Sequence, residues 1–90
     1  MTIVHTLVTV TIRYFAAARA AAGSDSETLD VPAGASVDEV LAAARERHDP
    51  SFARVLERCS FLLDEVAVRD GGTAVPAGAT LDVLPPFAGG

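Results

Sequence analysis

The pattern most suggestive of chemistry is the Phe-Ala-Gly-Gly segment at residues 87–90. Gly89 and Gly90 have no Cβ atom, so this end is thin and can take backbone angles that other residues avoid. The preceding Pro85 and Pro86 hold φ near about −65° and favour a stiff, extended exit from the domain. Four further residues can then project about 13–14 Å, at ~3.3–3.6 Å each. We expect Gly90 to offer a carboxylate that can enter another protein's narrow active site. A frayed chain end, or a remnant of cloning, is also compatible with composition alone.

The rest of the chain offers weak candidates for catalysis. Cys59 follows Arg58, which could favour a thiolate, but lone cysteines are mostly buried small hydrophobes. His48 continues an apolar helical stripe near a helix end, where a cation has a structural role. One cysteine and two distant histidines cannot build a metal site. Because residues 70–72 (Asp-Gly-Gly) also lack the pattern of a nucleotide-binding loop, we expect no bound metal or cofactor.

Composition and charge narrow the class of protein. Ninety residues, half of them hydrophobic, suit one domain with its own core. No apolar run approaches the ~20 residues that span a bilayer, and residues 1–5 lack the features of a signal peptide. The net charge of −5 argues against nucleic acid and favours a basic protein partner. The chain contains no lysine, which excludes Schiff-base chemistry. We therefore expect a single soluble, cytoplasmic domain over residues 1–90, with a flexible tail at 85–90.

The first half of the chain predicts a strand, a helix, a second strand and a longer helix. Residues 7–15 alternate between apolar and polar side chains, which predicts a strand with one buried face. The alanine-rich residues 16–22 predict a helix that ends at Gly23. Residues 27–31 alternate again before Pro32. Ser36 and Glu39 form a capping box, and an apolar stripe follows at helical spacing: Val37, Val40, Leu41, Ala44 and His48.

The second half predicts a shorter helix and further strands. We expect Pro50 to close the long helix, and a short helix to run through about Glu57. Residues 61–63 and 66–68 predict strands on either side of Asp64-Glu65, and residues 80–84 predict the last strand. A mixed sheet packed on one main helix, an α+β fold, follows from this order. The predicted core consists of Val8, Val10, Ile12, Leu29, Val37, Val40, Leu41, Leu62, Leu81 and Val83.

Three segments resemble the sulfur-carrier proteins, a family with a ubiquitin-like β-grasp fold. Residues 14–16, with Arg19 and Gly23, look like the family's first strand and helix. Residues 32–41 match the entry to its central helix. Residues 77–90 are similar to its terminal strand and tail, and the two prolines favour the branch that contains the small subunit of molybdopterin synthase. Family members often have an Asn-Gly-like turn where this chain has Asp64-Glu65. Because glutamate takes positive φ poorly, the type of that turn is left open.

The resemblance implies a cycle of chemistry at Gly90. An E1-like enzyme would use ATP and Mg²⁺ to adenylate the carboxylate, and sulfur from a persulfide donor would replace AMP to give a thiocarboxylate. The tail would then enter the large subunit of molybdopterin synthase, in a heterotetramer, and deliver sulfur to cyclic pyranopterin monophosphate. Side chains at Gly89 or Gly90 would crowd that channel. The catalytic groups would belong to the partners, so that the chain is a co-substrate more than an enzyme.

Partner binding is predicted around the tail. Phe87 is a large apolar residue beside the reactive end, and we expect it to anchor the large subunit together with Pro86 and Ala88. Phe15 and Leu63 are expected on nearby sheet surface. Two alternatives remain open: a carrier that supplies sulfur to cysteine, thiamin or tRNA, and a ubiquitin-like modifier that forms isopeptide bonds.

Overall fold

The alternating first segment forms strand β1, Leu7–Tyr14, and its pattern decides which face is buried. The structure is a computed structural model that describes residues 6–86. Val10 and Ile12 are buried, whereas Thr9 and Arg13 are exposed on the other face. The prediction is confirmed, except that the strand ends one residue earlier because Phe15 is the N-cap of the following helix.

Strand β1 lies inside a mixed sheet. The other strands are β2 (Ser26–Pro32), β3 (Ser60–Leu63), β4 (Val66–Ala67) and β5 (Thr80–Leu84). Their order across the sheet is β2-β1-β5-β3-β4. β1 and β5 are parallel, whereas β1–β2, β3–β5 and β3–β4 are antiparallel. The last strand therefore lies in the middle of the sheet, and the predicted α+β class is confirmed.

Helix α1, Ala16–Ala22, follows β1 directly. Its alanines have the highest helix propensity, although the N-cap Phe15 offers no side-chain hydrogen bond. Gly23 ends the helix as predicted, with a left-handed φ of 78°, and its N–H donates to the carbonyl of Arg19 at 2.9 Å.

The main helix α2, Val37–Glu46, starts at the predicted capping box. The Ser36 hydroxyl accepts from the N–H of Glu39 at 3.1 Å, and the Glu39 carboxylate accepts from the N–H of Ser36 at 3.2 Å. A loop covers the same helix end, since the N–H of Asp38 donates to the carbonyl of Gly71 at 3.0 Å. A Cβ at Gly71 would collide with the Asp38 carboxylate, so a side chain here would require that exposed carboxylate to move.

The short helix α3, Pro50–Leu56, is confirmed, but the prediction for Pro50 is wrong. Helix α2 already ends at Glu46, and Pro50 begins α3 instead of closing α2. Proline suits a first helical turn because its missing N–H would have no helical partner there. Asp49 is the N-cap and accepts from the N–H of Ser51 at 3.0 Å. No helix within residues 6–86 is long and apolar enough to cross a membrane.

The helices cover one face of the sheet, and the core between them contains all the predicted residues except Val8 and Leu62. Val8 is half-buried and packs against the core. Leu62 lies opposite Asp82 in the β3–β5 pairing, on the other face, whereas Leu63 lies opposite the buried Leu81. Leu62, which was predicted in the core, therefore faces away from it, and Leu63, which was predicted on the sheet surface, packs against the core. Three successive apolar residues show no alternation, and only the pairing with β5 decides which of them point inward.

Candidate functional site

The predicted reactive end lies outside the described residues. Gly89 and Gly90 belong to that segment, as do Phe87 and Ala88, so their roles stay predictions. The structure describes the base from which the segment continues. Strand β5 ends at Leu84, between β1 and β3, and the two prolines follow it. The tail therefore starts from the central strand of the sheet, and we call Leu84, Pro85 and Pro86 the base of the tail.

An apolar pocket of about 530 Å³ adjoins this base. Its aromatic wall is Phe15, which is 39% exposed and is one of the few large apolar side chains among residues 6–86 that face water. The structure therefore brings together Phe15 and Pro86, two of the predicted partner-binding residues. Leu63, which was also predicted to bind the partner, does not line this pocket, since it packs against the core on the helix-covered face. The residues that line the apolar pocket are Phe15, Ala16, Ala17, Ser60, Leu84, Pro85 and Pro86.

An ion pair between the half-exposed Arg13 and the buried Asp82 lies beside this pocket on the open face of the sheet. Arg13 Nε donates to Asp82 Oδ1 at 2.6 Å, and Arg13 Nη2 donates to Asp82 Oδ2 at 2.8 Å. The hydrogen bond and the charge of Asp82 raise the pKa of Arg13. Sequence reasoning missed this pair, although alternation placed both residues on the outer face. The missing information was the parallel pairing of β1 with β5, which places Arg13 opposite Asp82.

A polar recess of about 280 Å³ surrounds the ion pair and includes the turn that the sequence left open. Asp64 and Glu65 have φ values of 46° and 71°, so both lie in the left-handed region, as in a two-residue type I′ hairpin. Asp64 accepts from the N–H of Thr80 at 2.9 Å through Oδ1, and its own N–H donates to the carbonyl of Thr80 at 2.9 Å. These two bonds hold the turn against β5 and help to offset its backbone strain.

His48 has the structural role that its position on the apolar stripe predicted. Its Nε2 lies 2.9 Å from Glu27 Oε2, and its ring centroid lies 4.4 Å from that of Phe52. Nearby, the buried Tyr14 hydroxyl has no hydrogen-bond partner of normal geometry. Burial chiefly, and then the charge of Glu27, raise the pKa of Tyr14. The cluster lies beneath α2 and α3, and it contributes to packing.

Cys59 is half-buried, and its thiol donates to the carbonyl of Val55 at 3.2 Å. Burial raises the pKa of the thiol, so a smaller fraction is thiolate than in a free cysteine. This environment is that of a small hydrophobic residue rather than of a nucleophile. Within residues 6–86, no three His, Cys, Asp or Glu side chains are arranged so that they could hold a metal ion.

The chain is similar to known proteins in sequence and in fold. The model of the ThiS family matches residues 12–90. The chain is 30% identical over 82 residues to the molybdopterin synthase sulfur carrier subunit of Chlamydomonas reinhardtii, covering 90% of this chain and 98% of that protein. It superposes on SAMP1 of Haloferax volcanii with a TM-score of 0.81 and 28% identity, covering 91% of this chain and 99% of the other.

The likeness to a third protein is evidence for the fold only. That protein comes from a complex of subunits 1 and 2 of the molybdopterin-converting factor of Helicobacter pylori, with a TM-score of 0.69 and 20% identity. The match covers 91% of this chain and 99% of the other. The family model spans most of the described domain and the whole tail, and the solved relatives share the fold of this chain. The chain therefore belongs to the ThiS family and is a ubiquitin-like sulfur carrier with a β-grasp fold.

Proposed function

We propose that this chain is the small subunit of molybdopterin synthase, in which a thiocarboxylate at Gly90 donates sulfur to cyclic pyranopterin monophosphate. The observation that carries the proposal is the position of the apolar pocket at the base of the tail. Phe15 and Pro86 share that pocket, so a protein that binds there lies next to the segment that continues from Pro86. The relative from Chlamydomonas reinhardtii, which this chain covers almost completely, supports the choice of pathway.

The chemistry needs partners, because a carboxylate is a poor electrophile. We propose that an E1-like enzyme joins the Gly90 carboxylate to the AMP moiety of ATP, with Mg²⁺, and releases pyrophosphate. The terminal sulfur of a persulfide donor then attacks the carbonyl carbon and displaces AMP, and a thiol reduces the resulting acyl disulfide, which leaves the thiocarboxylate and a disulfide. The large subunit of molybdopterin synthase supplies the catalytic groups for sulfur transfer to the pterin. The Helicobacter pylori relative, solved as a complex of subunits 1 and 2, is consistent with such a partner.

One observation favours a second function, that of a protein modifier. SAMP1 of Haloferax volcanii, described as a small archaeal modifier protein, is 28% identical to this chain and has almost the same length. In a modifier, the activated Gly90 would be attacked by an amine of a target protein and would form an amide bond. Both functions use the same adenylate, and they differ in the nucleophile that follows.

Intact-mass spectrometry separates the two. The full chain is incubated with an E1-like enzyme from the same organism, ATP, Mg²⁺ and a persulfide donor, and then with the large subunit and cyclic pyranopterin monophosphate. We expect a species heavier by the difference between one sulfur and one oxygen atom, which returns to the starting mass as molybdopterin forms. A thiocarboxylate that forms but does not sulfurate the pterin would overturn the proposal, as would exclusive conversion to covalent conjugates.

A further inference from the structure

The side chain of Phe15 lines the apolar pocket, and its ring lies against Arg13, which lines the polar recess. The Cζ atom of Arg13 lies 5.7 Å from the ring centroid, within the range of a cation–π interaction. An exposed aromatic side chain would otherwise sample several rotamers in the free protein. The contact with Arg13 favours the rotamer in which the ring forms a wall of the pocket.

Arg13 is itself held by Asp82. Asp82 is 5% exposed and is the one buried charged residue among residues 6–86. Its two carboxylate oxygens accept from Nε and Nη2 of Arg13, which fixes the plane of the guanidinium group. A buried carboxylate without a partner is costly, so Asp82 favours the conformation in which Arg13 stays paired. The ring of Phe15 is thus held through Arg13 by a residue of the central strand β5.

The same strand also holds the backbone of Phe15. The N–H of Phe15 donates to the carbonyl of Val83 at 3.2 Å, one residue after Asp82. Both contacts come from the segment that leads through Leu84 to the prolines. The wall of the pocket and the base of the tail are therefore fixed to one strand.

We propose that Arg13 and Asp82 are positioning residues, which hold the Phe15 ring so that the docking surface is formed before the partner arrives. The inference rests on the proposed function, because it takes the large subunit of molybdopterin synthase as the protein that binds the apolar pocket. A side chain that is already ordered in the free protein loses less conformational entropy on binding, so the complex is more stable. The pair could instead serve the stability of the sheet alone, and the experiment must distinguish these roles.

The first measurement needs no partner. Three-bond couplings measured by NMR in the free protein report the χ1 rotamers of Phe15. We expect one dominant rotamer in the wild type and averaging in Arg13→Met and in Asp82→Asn. Arg54→Met is the matched control, since it removes an exposed arginine from α3, which packs on the other face of the sheet. An unchanged Phe15 rotamer in both test variants would overturn the inference, whatever the partner is.

The second measurement is the Kd for the purified large subunit, by calorimetry. Losing the preformed ring should weaken binding by roughly 2- to 10-fold in Arg13→Met, from the cost of immobilising one side chain. In a Phe15→Ala background the same substitution should have no further effect, because Arg13 acts through the ring. An equal loss in both backgrounds would assign a purely structural or direct role to Arg13 and overturn the inference.

Circular-dichroism melts establish that each variant is folded. If Arg13→Met alone does not fold, the double variant Arg13→Met/Asp82→Leu takes its place, since it leaves no unpaired buried charge. A Phe15→Ala variant that binds as the wild type does would overturn the docking surface itself, and the inference with it. A Phe15→Ala variant that binds weakly, beside Arg13 variants that bind normally, would overturn the inference alone.

Discussion

The imidazole Nε2 of His48 lies 2.9 Å from Glu27 Oε2, and this contact connects the segment after α2 to the edge strand β2. The two side chains are 13% and 15% exposed, so water competes weakly for the contact. The His48 ring also packs against Phe52, the largest fully buried side chain among residues 6–86. One residue thus joins the sheet, the end of the main helix and the start of α3.

We expect His48→Ala to lower the free energy of unfolding by about 1–3 kcal/mol. The substitution leaves the Glu27 carboxylate without its imidazole partner and removes the ring that packs against Phe52. Urea unfolding measures the change. Glu46→Ala is the matched control, since Glu46 is exposed at the end of α2, and its effect should stay within about 0.5 kcal/mol. Equal effects of the two substitutions would show that the His48 contact does not contribute to stability.

Tyr14 should make the fold sensitive to alkaline pH. Its pKa is raised in the folded state, so the folded protein keeps the phenol proton at a pH where the unfolded chain loses it. The contribution is fully present below the unfolded pKa of about 10 and is lost as pH rises above it. Burial also raises the pKa of Cys59, with the same sign and an earlier onset, so the experiment uses a Cys59→Ala background.

In that background, the free energy of unfolding in urea should fall as pH rises above about 10. Tyr14→Phe should remove most of the fall. At neutral pH, Tyr14→Phe should cost little, because the buried hydroxyl makes no hydrogen bond of normal geometry, even to the nearby Glu27. An equally steep alkaline loss in Tyr14→Phe would assign the effect to other groups.

The turn at Asp64-Glu65 stores backbone strain that glycine should relieve. Glu65 has a φ of 71°, and the left-handed region costs a residue with a Cβ roughly 1–2 kcal/mol. Glycine avoids that cost but loses more entropy on folding, so we expect Glu65→Gly to stabilise the protein by about 0.5–1 kcal/mol. Glu65→Ala keeps the Cβ and should give no such gain. Urea unfolding of the two variants, side by side, tests the expectation.

Local patterns predicted most elements correctly, although Pro50 was assigned to the end of α2 and instead begins α3. Alternation identified the buried faces of β1 and β5, and the capping box located the start of α2. The sequence could not show which faces of the sheet Leu62 and Leu63 occupy. A run of apolar residues has no period, and the pairing with the distant strand β5 decides their faces. The sequence could not predict the turn at Asp64-Glu65 either, since two bonds to Thr80 offset the poor local preference.

The same distinction applies to the candidate site. Phe15 was expected on sheet surface near the tail and Pro86 within the tail, and the structure brings the two together at the apolar pocket. Arg13 and Asp82 are 69 residues apart, and nothing in the local sequence of either indicates a partner. Their pairing depends on the parallel register of β1 and β5, which is a property of the whole topology.

Phe87 should contribute to binding and not to folding. It lies outside the described residues, and the prediction rests on its residue type and its place next to Pro86. If it is an aromatic hot spot, Phe87→Ala should weaken binding of the large subunit by about 2 kcal/mol, with an unchanged melting temperature. Phe87→Leu keeps much of the apolar surface and should bind better than the alanine variant. Wild-type affinity would contradict a role of Phe87 in binding, and a clear loss of melting temperature would assign it to the core instead.

Deleting Gly90 tests the reactive end directly. If Gly90 supplies the carboxylate, the deletion moves that group back by ~3.3–3.6 Å along the extended chain. Displacements of about 1 Å can cost ~100-fold in rate, so we expect thiocarboxylate formation or sulfur delivery to be abolished. The domain should keep its melting temperature and still bind the large subunit, because the sheet, the apolar pocket and Phe87 are unchanged.

Gly90→Ala is a milder variant to compare with the deletion. It keeps a carboxylate at the same distance from the domain but adds a methyl group that would crowd the adenylate and the channel. We therefore expect less sulfur transfer than in the wild type and more than in the deletion. The measurement is the amount of molybdopterin formed per carrier, beside a circular-dichroism melt of each variant. The deletion places the terminal carboxylate on Gly89, one residue closer to the domain. Turnover at the wild-type rate would therefore mean that sulfur transfer does not depend on where the carboxylate lies. The carrier function at Gly90 would then be wrong.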